Sequence, residues 1–223
     1  MSLPFQAILV PQGQEYQAVY RAVQALNSNL QVIPIPMGNP NFAKQLEKCL
    51  KNYSFSQAIL LGLCGSLSAK YRVGDILIYQ ICKTEDDQKR SLPTNTFLTD
   101  SIAQKLGNAA VLVNGLSCDR LICAAQIKKQ LAKNHQVSAV DMESYQVLAE
   151  FEQRNISLAI IRVVSDGLDF DLPDLSKANV NGALISSKLA IAMISQPYRS
   201  FQLIKNALKG LKSLEDCTRL ILS

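Results

Sequence analysis

Apolar residues along the chain fall into two patterns, short continuous runs and longer stretches with helical spacing. The continuous runs are typical of strands that are buried on both faces of a sheet. Apolar residues that recur every three or four positions predict helices instead. The predicted strands span 5–10, 30–35, 57–63, 71–83, 109–113, 137–140 and 158–164. The predicted helices span 15–26, 42–50, 96–106, 119–133, 141–152, 175–194 and 198–211.

This alternation of buried strands and helices predicts an α/β fold. We expect a three-layer α/β/α sandwich around a mixed, mostly parallel central sheet. No linker, repeat or charge block divides the 223 residues, so residues 1–223 are expected to form a single domain. Within the helix pattern, Thr96 and Thr99 are candidate N-caps of the helix predicted over 96–106.

Composition narrows the class of protein. The net charge of +5 is spread along the chain, which predicts weak attraction of anions but no dedicated nucleic-acid surface. Six dispersed cysteines and one histidine do not form a zinc motif, and they are typical of reduced thiols in an intracellular protein. The first residues lack the basic region of a signal peptide, and no apolar run is long enough to span a membrane. We therefore expect a cytoplasmic protein without a membrane span.

The strongest candidate for chemistry is Ser165-Asp166-Gly167, which directly follows the strand predicted over 158–164. Open α/β sheets bind ligands at the carboxyl ends of their strands, so Asp166 is the first candidate acid or base. The same three residues are also typical of an ordinary turn. This stretch alone leaves both interpretations open.

Carboxylates follow other strands as well. Asp141 and Glu143 stand where a strand is predicted to meet a helix, so one is expected to start the helix and the other to bind vicinal hydroxyls. Both are also explained by the acidic bias of a first helical turn. Glu15 either orients a water molecule or is a solvated residue of a first turn. Asp169, Asp171 and Asp174 do not have the spacing of a calcium loop and are interpreted as loop or helix-start residues.

Glycines mark a further strand end in LGLCGSLSAKYRVGD, residues 61–75. Gly62 and Gly65 allow a ligand or another backbone to approach closely. The stretch matches neither a P-loop nor a dinucleotide fingerprint. Cys64 has no neighbouring histidine to activate it as a nucleophile.

Three of these stretches together resemble the nucleoside phosphorylase superfamily: LGLCGSLSAKYRVGDILI, VDMESYQVLA and RVVSDGLD, in this order. That superfamily includes purine nucleoside phosphorylases and 5′-methylthioadenosine/S-adenosylhomocysteine nucleosidases. The resemblance implies an enzyme that cleaves the N-glycosidic bond of a purine-type nucleoside without a metal or an organic cofactor. It also implies a homo-oligomer.

The resemblance assigns roles on the base side of the site. Asp166 matches the acid that protonates or hydrogen-bonds the imidazole-ring nitrogen of the purine, and Ser165 steadies that contact. Gly65 lies at the glycine-rich strand end that is expected to approach the substrate. Leu121, with Ile122 beside it, falls where the nucleosidases have an aromatic residue that stacks on the base. Leucine packs against a base but cannot stack on it.

On the sugar side, Glu143 matches the carboxylate that binds the ribose 2′ and 3′ hydroxyls, and Met142 matches the residue that packs under the sugar. Glu15 aligns with the glutamate that activates water in the nucleosidases. Phosphorylases carry an arginine and a serine where this chain has Leu60 and Leu63, and an apolar pair cannot hold a phosphate dianion. Water is therefore the favoured nucleophile.

Three alternatives stay open. Phosphate is the nucleophile if Arg21, Arg72 or Arg162 binds it from elsewhere in the fold. The leucines at positions 60, 63 and 121 are also compatible with a nucleoside-binding protein that lacks efficient catalysis. The segments VDMES and RVVSDGLDFDLPD further resemble the hopanoid-associated phosphorylase branch, which implies an adenosine with a large apolar 5′ substituent.

Overall fold

The computed structural model describes residues 3–38, 41–86, 88–173, 179–180, 183–184 and 194–223. In this part of the chain, strands and helices alternate as the hydrophobic pattern predicts. The elements are β1 (Ala7–Pro11), α1 (Gln14–Ala25), β2 (Gln31–Ile35), α2 (Phe42–Leu50), β3 (Gln57–Ser66), β4 (Ile76–Thr84), β5 (Leu92–Pro93), α3 (Thr96–Leu106), β6 (Ala110–Ser117), α4 (Ala125–His135), β7 (Ala139–Asp141), α5 (Ser144–Gln153), β8 (Ser157–Asp166), β9 (Asn179–Val180), β10 (Ala183–Leu184) and α6 (Pro197–Leu222).

Strands β1 to β8 form one mixed sheet. Pairing is parallel between β1 and β2, β1 and β3, β3 and β8, β4 and β6, and β6 and β7. It is antiparallel between β3 and β7, β4 and β5, and β4 and β8. The expected mixed, mostly parallel sheet is therefore confirmed. Strands β3, β8, β4, β6 and β7 also close into a ring, which the sequence pattern does not predict.

Two apolar clusters pack against opposite faces of this sheet. One cluster takes Phe42 and Leu46 from α2 and Phe151 from α5. The other takes buried residues from α1, α3 and α6, including Val19 and Leu214. Helices thus cover both faces, as expected for a three-layer α/β/α sandwich. Side chains of β8 alternate between the two clusters, because successive residues of a strand point to opposite faces.

The N-cap of α3 differs from the prediction. Asn95, rather than Thr96 or Thr99, caps this helix, and its Oδ1 accepts a hydrogen bond from the amide of Leu98 at 2.9 Å. Thr99 instead lies inside the helix, where its hydroxyl is 2.9 Å from that of Thr94. Asparagine is among the strongest N-cap residues because its side chain reaches the free amides of the first turn.

Other boundaries also move. Strand β6 continues through Asn114-Gly115 to Ser117, where it pairs with both β4 and β7. The ring of Tyr79 packs where a side chain at position 115 would stand, so this position requires glycine. The helix predicted over 119–133 begins only at Ala125, and the last helix runs on to Leu222. The helix predicted over 175–194 is wrong for the residues described there, because Asn179–Val180 and Ala183–Leu184 pair as the antiparallel strands β9 and β10. Most of the other residues of that stretch lie outside the described ranges. No helix in the described ranges is both long and apolar enough to cross a bilayer.

Candidate functional site

The carboxyl ends of β3 and β8 bring Gly65 and Asp166 side by side. The two residues pair across the strands, after a register shift that follows Cys64. A side chain at position 65 would begin 3.0 Å from Oδ2 of Asp166, so glycine leaves room for the carboxylate. The hydroxyl of Ser165 donates to Oδ1 of Asp166 at 3.0 Å, or to the carbonyl of Cys64 at 3.2 Å. The structure therefore joins three residues that the sequence assigns to the base side.

The partner of Asp166 is a residue that sequence reasoning missed. Lys128 of α4 is fully buried, and its ammonium is ion-paired with Oδ2 of Asp166. It also donates to the carbonyl of Gly167 at 2.9 Å. A signal was present in the sequence, because Lys128 shares one helical face with the buried Leu131. A lysine on the buried face of a helix needs a partner.

The acidic run after β8 attaches this segment to the start of α4. Asp169 pairs with Lys129 at 2.6 Å. The amide of Ala125, the first residue of α4, donates to Oδ1 of Asp171 at 2.8 Å. These contacts hold Asp166 and Lys128 between a strand end and a helix start. Asp174 lies outside the described residues.

A second cluster surrounds Arg162, the residue that interrupts the apolar run of β8. Arg162 is fully buried, and its Nε lies 3.2 Å from Oδ2 of Asp141. Its Nη2 lies 3.4 Å from Oε2 of Glu143 and donates to the hydroxyl of Ser144 at 3.0 Å. A charged residue in a buried strand is itself a sequence signal, because an unpaired buried charge is costly. Which acids pair with Arg162 was not predictable from that signal.

Asp141 and Glu143 have different roles at the start of α5. Oδ1 of Asp141 accepts from the amides of Glu143 at 3.1 Å and Ser144 at 3.0 Å, so Asp141 is the acid that starts the helix. The carboxylate of Glu143 instead accepts from the amide of Gly38 at 3.0 Å. Gly38 packs closely against Met142, whose Cβ lies 2.5 Å from where a side chain at position 38 would begin. Met142 and Glu143 therefore lie beside the loop that follows β2.

Glu15, in the first turn of α1, reaches the same cluster from the other side of β3. Its Oε2 accepts from the amide of Leu63 at 2.8 Å, and Nη1 of Arg162 donates to the carbonyl of Leu63 at 3.4 Å. A side chain at Gly62 would collide with Nη1 of Arg162 and begin 2.8 Å from Oε2 of Glu15. Glycine at position 62 thus permits the approach of a carboxylate and a guanidinium to one strand.

Burial and the neighbouring charges shift the pKa values of Glu15, Glu143 and Arg162 in this cluster. Burial and the charge of Glu143 raise the pKa of Glu15 to about 7, against the opposing effect of Arg162. Burial also raises the pKa of Glu143, while Arg162 lowers it. Burial lowers the pKa of Arg162, but the charges of Asp141 and Glu143 raise it. The net shift is upward, so the guanidinium stays charged. Burial raises the pKa of Cys64 well above its usual range, which leaves a thiol rather than a nucleophilic thiolate.

The remaining predicted contacts lie in the segment that precedes α4. Leu121 is 42% exposed, and Ile122 is buried in a small apolar cluster with Leu67, Leu131 and Val140. A separate cavity of about 790 Å³ lies between α5 and the loop after β4, and none of the residues to which the family resemblance assigns a role lines it. Among the described residues, no group of three or more His, Cys, Asp or Glu side chains is arranged to hold a metal ion.

Comparison with known proteins points to one family. The sequence profile of the phosphorylase superfamily matches residues 19–194 of the 223-residue chain. No curated protein sequence is significantly similar to this chain.

Several solved structures share the fold at low sequence identity. Futalosine hydrolase of Helicobacter pylori strain 26695 has a TM-score of 0.72 and 12% identity, with 97% of this chain and 96% of that chain covered. The 5′-methylthioadenosine/S-adenosylhomocysteine nucleosidase from Helicobacter pylori, solved with butyl-thio-DADMe-Immucillin-A, has a TM-score of 0.67 and 15% identity over 95% and 96% of the two chains. A putative nucleosidase of the same name from Francisella philomiragia has a TM-score of 0.62 and 16% identity over 90% and 96%.

Proposed function

The chain belongs to the phosphorylase superfamily and is an enzyme of the nucleosidase or nucleoside phosphorylase class, and we propose that it hydrolyses a purine-type nucleoside. One observation carries the proposal. Within a few residues of β3, Glu15 and Glu143 meet around Arg162 beside Gly62, and Asp166 lies beside Gly65. Carboxylates at both ends of this short stretch of β3 suit the cleavage of a nucleoside, with the sugar near Gly62 and the base near Gly65.

Each carboxylate then has a separate task. Glu143 accepts hydrogen bonds from the ribose hydroxyls, with Met142 under the sugar. Asp166, with Ser165, contacts the ring nitrogen of the base and supports its departure. Leu121 packs against the base from the segment before α4. The leaving base takes the electrons of the broken bond, and protonation of that base lowers the barrier, as in other cases of general acid catalysis.

The charge around Glu15 favours water over phosphate. Arg162 is the cation of this cluster, and Asp141 and Glu143 already accompany it at 3.2 and 3.4 Å. Two carboxylates around one guanidinium leave no positive charge for a phosphate dianion, which would also be repelled by Glu15. The side chain of Leu60 is fully buried and apolar. A carboxylate that accepts a proton from water suits this environment better.

We expect hydrolysis to be independent of phosphate. Adenosine, inosine and 5′-methylthioadenosine are incubated with the protein, with and without inorganic phosphate, and free base, free sugar and sugar 1-phosphate are measured. Equal release of base in both conditions is the expected result, with ribose as the sugar product of the first two substrates and 5-methylthioribose as that of the third. A sugar 1-phosphate formed only with phosphate would show phosphorolysis instead. Tight nucleoside binding in calorimetry without base release would show a binding protein.

The pH dependence provides a second prediction. Glu15 accepts a proton from water only as a carboxylate, and its pKa is about 7. The value of kcat/KM is therefore expected to rise as the pH increases from 5, to pass its midpoint near pH 7 and to level off at higher pH. Glu15→Gln, which keeps an acceptor for the amide of Leu63, is expected to lose this dependence together with most of the activity. A pH profile that is the same in both proteins would contradict the role of Glu15.

The free energy of unfolding is expected to fall as the pH rises, in the opposite direction from kcat/KM. The pKa of Glu15 is raised from 4.5 to about 7 in the folded protein, so the folded state binds more protons between these values. The stability that this proton contributes is present below pH 4.5 and is lost as the pH rises through 7. Denaturation by urea at pH 5 and pH 8 measures the difference, which Glu15→Gln is expected to remove.

We propose that the substrate carries an apolar group at its 5′ position. Met37, a residue that is 49% exposed, lies next to Gly38, whose amide donates to the carboxylate of Glu143. An apolar side chain therefore lies near the ribose end of the site. The panel above includes 5′-methylthioadenosine for this reason. The homo-oligomer that the sequence resemblance implies stays a prediction.

A further inference from the structure

Lys128 is as deeply buried as any charged residue in the described part of the chain, with 0% of its surface exposed. Its ammonium is held by Oδ2 of Asp166 and by the carbonyl of Gly167. The side chain of Asp166 keeps 10% of its surface exposed, so the carboxylate lies between Lys128 and the open end of the strands. Lys128 therefore acts on a substrate only through Asp166.

This ion pair determines where the proton for the leaving purine base is held. A carboxylate that faces an ammonium accepts hydrogen bonds but has no proton of its own to donate. The ammonium of Lys128 holds a proton within hydrogen-bond contact of Asp166. Ser165 also contacts Asp166, but a serine hydroxyl is a much weaker acid than an ammonium group.

We propose that Lys128 is a positioning residue that supplies, through Asp166, the proton taken up by the leaving base; this inference rests on the proposed function. As the bond between C1′ and the base nitrogen breaks, its electron pair goes to the base. A proton moves from Nζ of Lys128 to the carboxylate of Asp166, which donates a proton to the ring nitrogen. Glu15 takes a proton from the attacking water. Lys128 regains its proton from solvent, and Glu15 returns its proton to solvent, after the products leave.

A surface lysine one position away provides a matched control. Lys129 pairs with Asp169 at 2.6 Å and joins the same helix to the same segment, but its side chain is 55% exposed. Lys129→Met removes an ion pair between α4 and the segment after β8 without touching Asp166. Lys128→Met removes the ion pair that contacts Asp166.

The test compares two substrates whose leaving groups differ in their need for a proton. The first is whichever of adenosine, inosine and 5′-methylthioadenosine the wild type cleaves fastest. The second is 4-nitrophenyl β-D-ribofuranoside, whose phenolate departs without protonation. Lys128→Met is expected to lower kcat/KM for the nucleoside by about 10² or more, in the range of general acid catalysis, and to leave the nitrophenyl riboside nearly unchanged. Lys129→Met is expected to change neither.

The ratio of the two rates separates chemistry from folding, because loss of folded protein lowers both rates by the same factor. In an Asp166→Asn background, adding Lys128→Met is expected to leave the ratio unchanged, since the relay is already broken. A Lys128→Met variant that loses both activities equally, or that keeps both, would overturn the proposal. A wild type that cleaves neither substrate would instead refute the proposed function.

Discussion

Asp166→Asn is expected to lower the rate of base release by a factor of about 10² to 10⁴, the range that general acid catalysis contributes. An amide neither relays a proton to the base nor carries the negative charge that pairs with Lys128. Binding is expected to suffer less, because Glu143 and Met142 still contact the sugar. Single-turnover measurement of free base, together with calorimetry of nucleoside binding, separates the two effects.

The control for this variant is Asp169→Asn, in the same segment. Asp169 also pairs with a lysine of α4, but its side chain is 70% exposed. Its replacement is expected to leave the rate unchanged. Asp166→Asn leaves the buried ammonium of Lys128 without its carboxylate, so thermal unfolding of both variants must be measured alongside. Base release at the wild-type rate by folded Asp166→Asn would rule out Asp166 as the residue that acts on the base.

Arg162→Met is expected to lower the free energy of unfolding by about 3–5 kcal/mol, the usual result of removing one partner of a buried ion pair. The variant leaves the carboxylates of Asp141 and Glu143 buried without their cation. The loss is expected to be smaller at low pH, because burial raises the pKa of Glu143 and this carboxylate then takes up a proton. Urea denaturation at pH 5 and pH 8 measures both effects.

Arg154→Met serves as the matched control, because Arg154 pairs with Glu150 at 2.6 Å near the surface of α5. Its loss is expected to cost less than about 1 kcal/mol. A triple variant that adds Asp141→Asn and Glu143→Gln to Arg162→Met is expected to recover part of the stability, because the unpaired charges are removed. An Arg162→Met variant as stable as Arg154→Met would show that the cluster does not depend on its cation.

The pH dependence of activity provides an independent test of the effect of Arg162 on Glu15. The guanidinium lowers the pKa of Glu15, so its removal is expected to move the midpoint of the pH profile above 7. Loss of folded protein lowers the plateau of the profile but does not move its midpoint. The two effects of the variant are therefore separable in one set of rate measurements.

The strands and helices were predictable because each leaves a local pattern. Buried strands such as β3 and β8 contain continuous apolar runs, so their presence and their order along the chain follow directly from the sequence, although each strand continues beyond its apolar run. The candidate acids were also identified locally, since Asp166 ends β8 and Glu143 directly precedes α5. The family resemblance then assigned each acid to one end of the substrate.

The partners of those acids were not predictable, because they come from distant parts of the chain. Lys128 is 38 residues from Asp166, and the amide of Leu63 that holds Glu15 is 48 residues away. Gly38 is 105 residues from Glu143. Local spacing shows that a buried charge needs a partner but does not identify it.

The sequence by itself therefore determined the layered α/β fold, the order of its strands along the chain and the acids that follow them. Only the tertiary structure decided that the sheet closes between β3 and β7, and that closure brings Gly65 beside Val140. It also decided which cation neutralises each acid: Arg162 accompanies Asp141 and Glu143, whereas Lys128 accompanies Asp166. The physical reason is that burial makes each charge dependent on its neighbours in space, and those neighbours are set by the packing of the whole sheet.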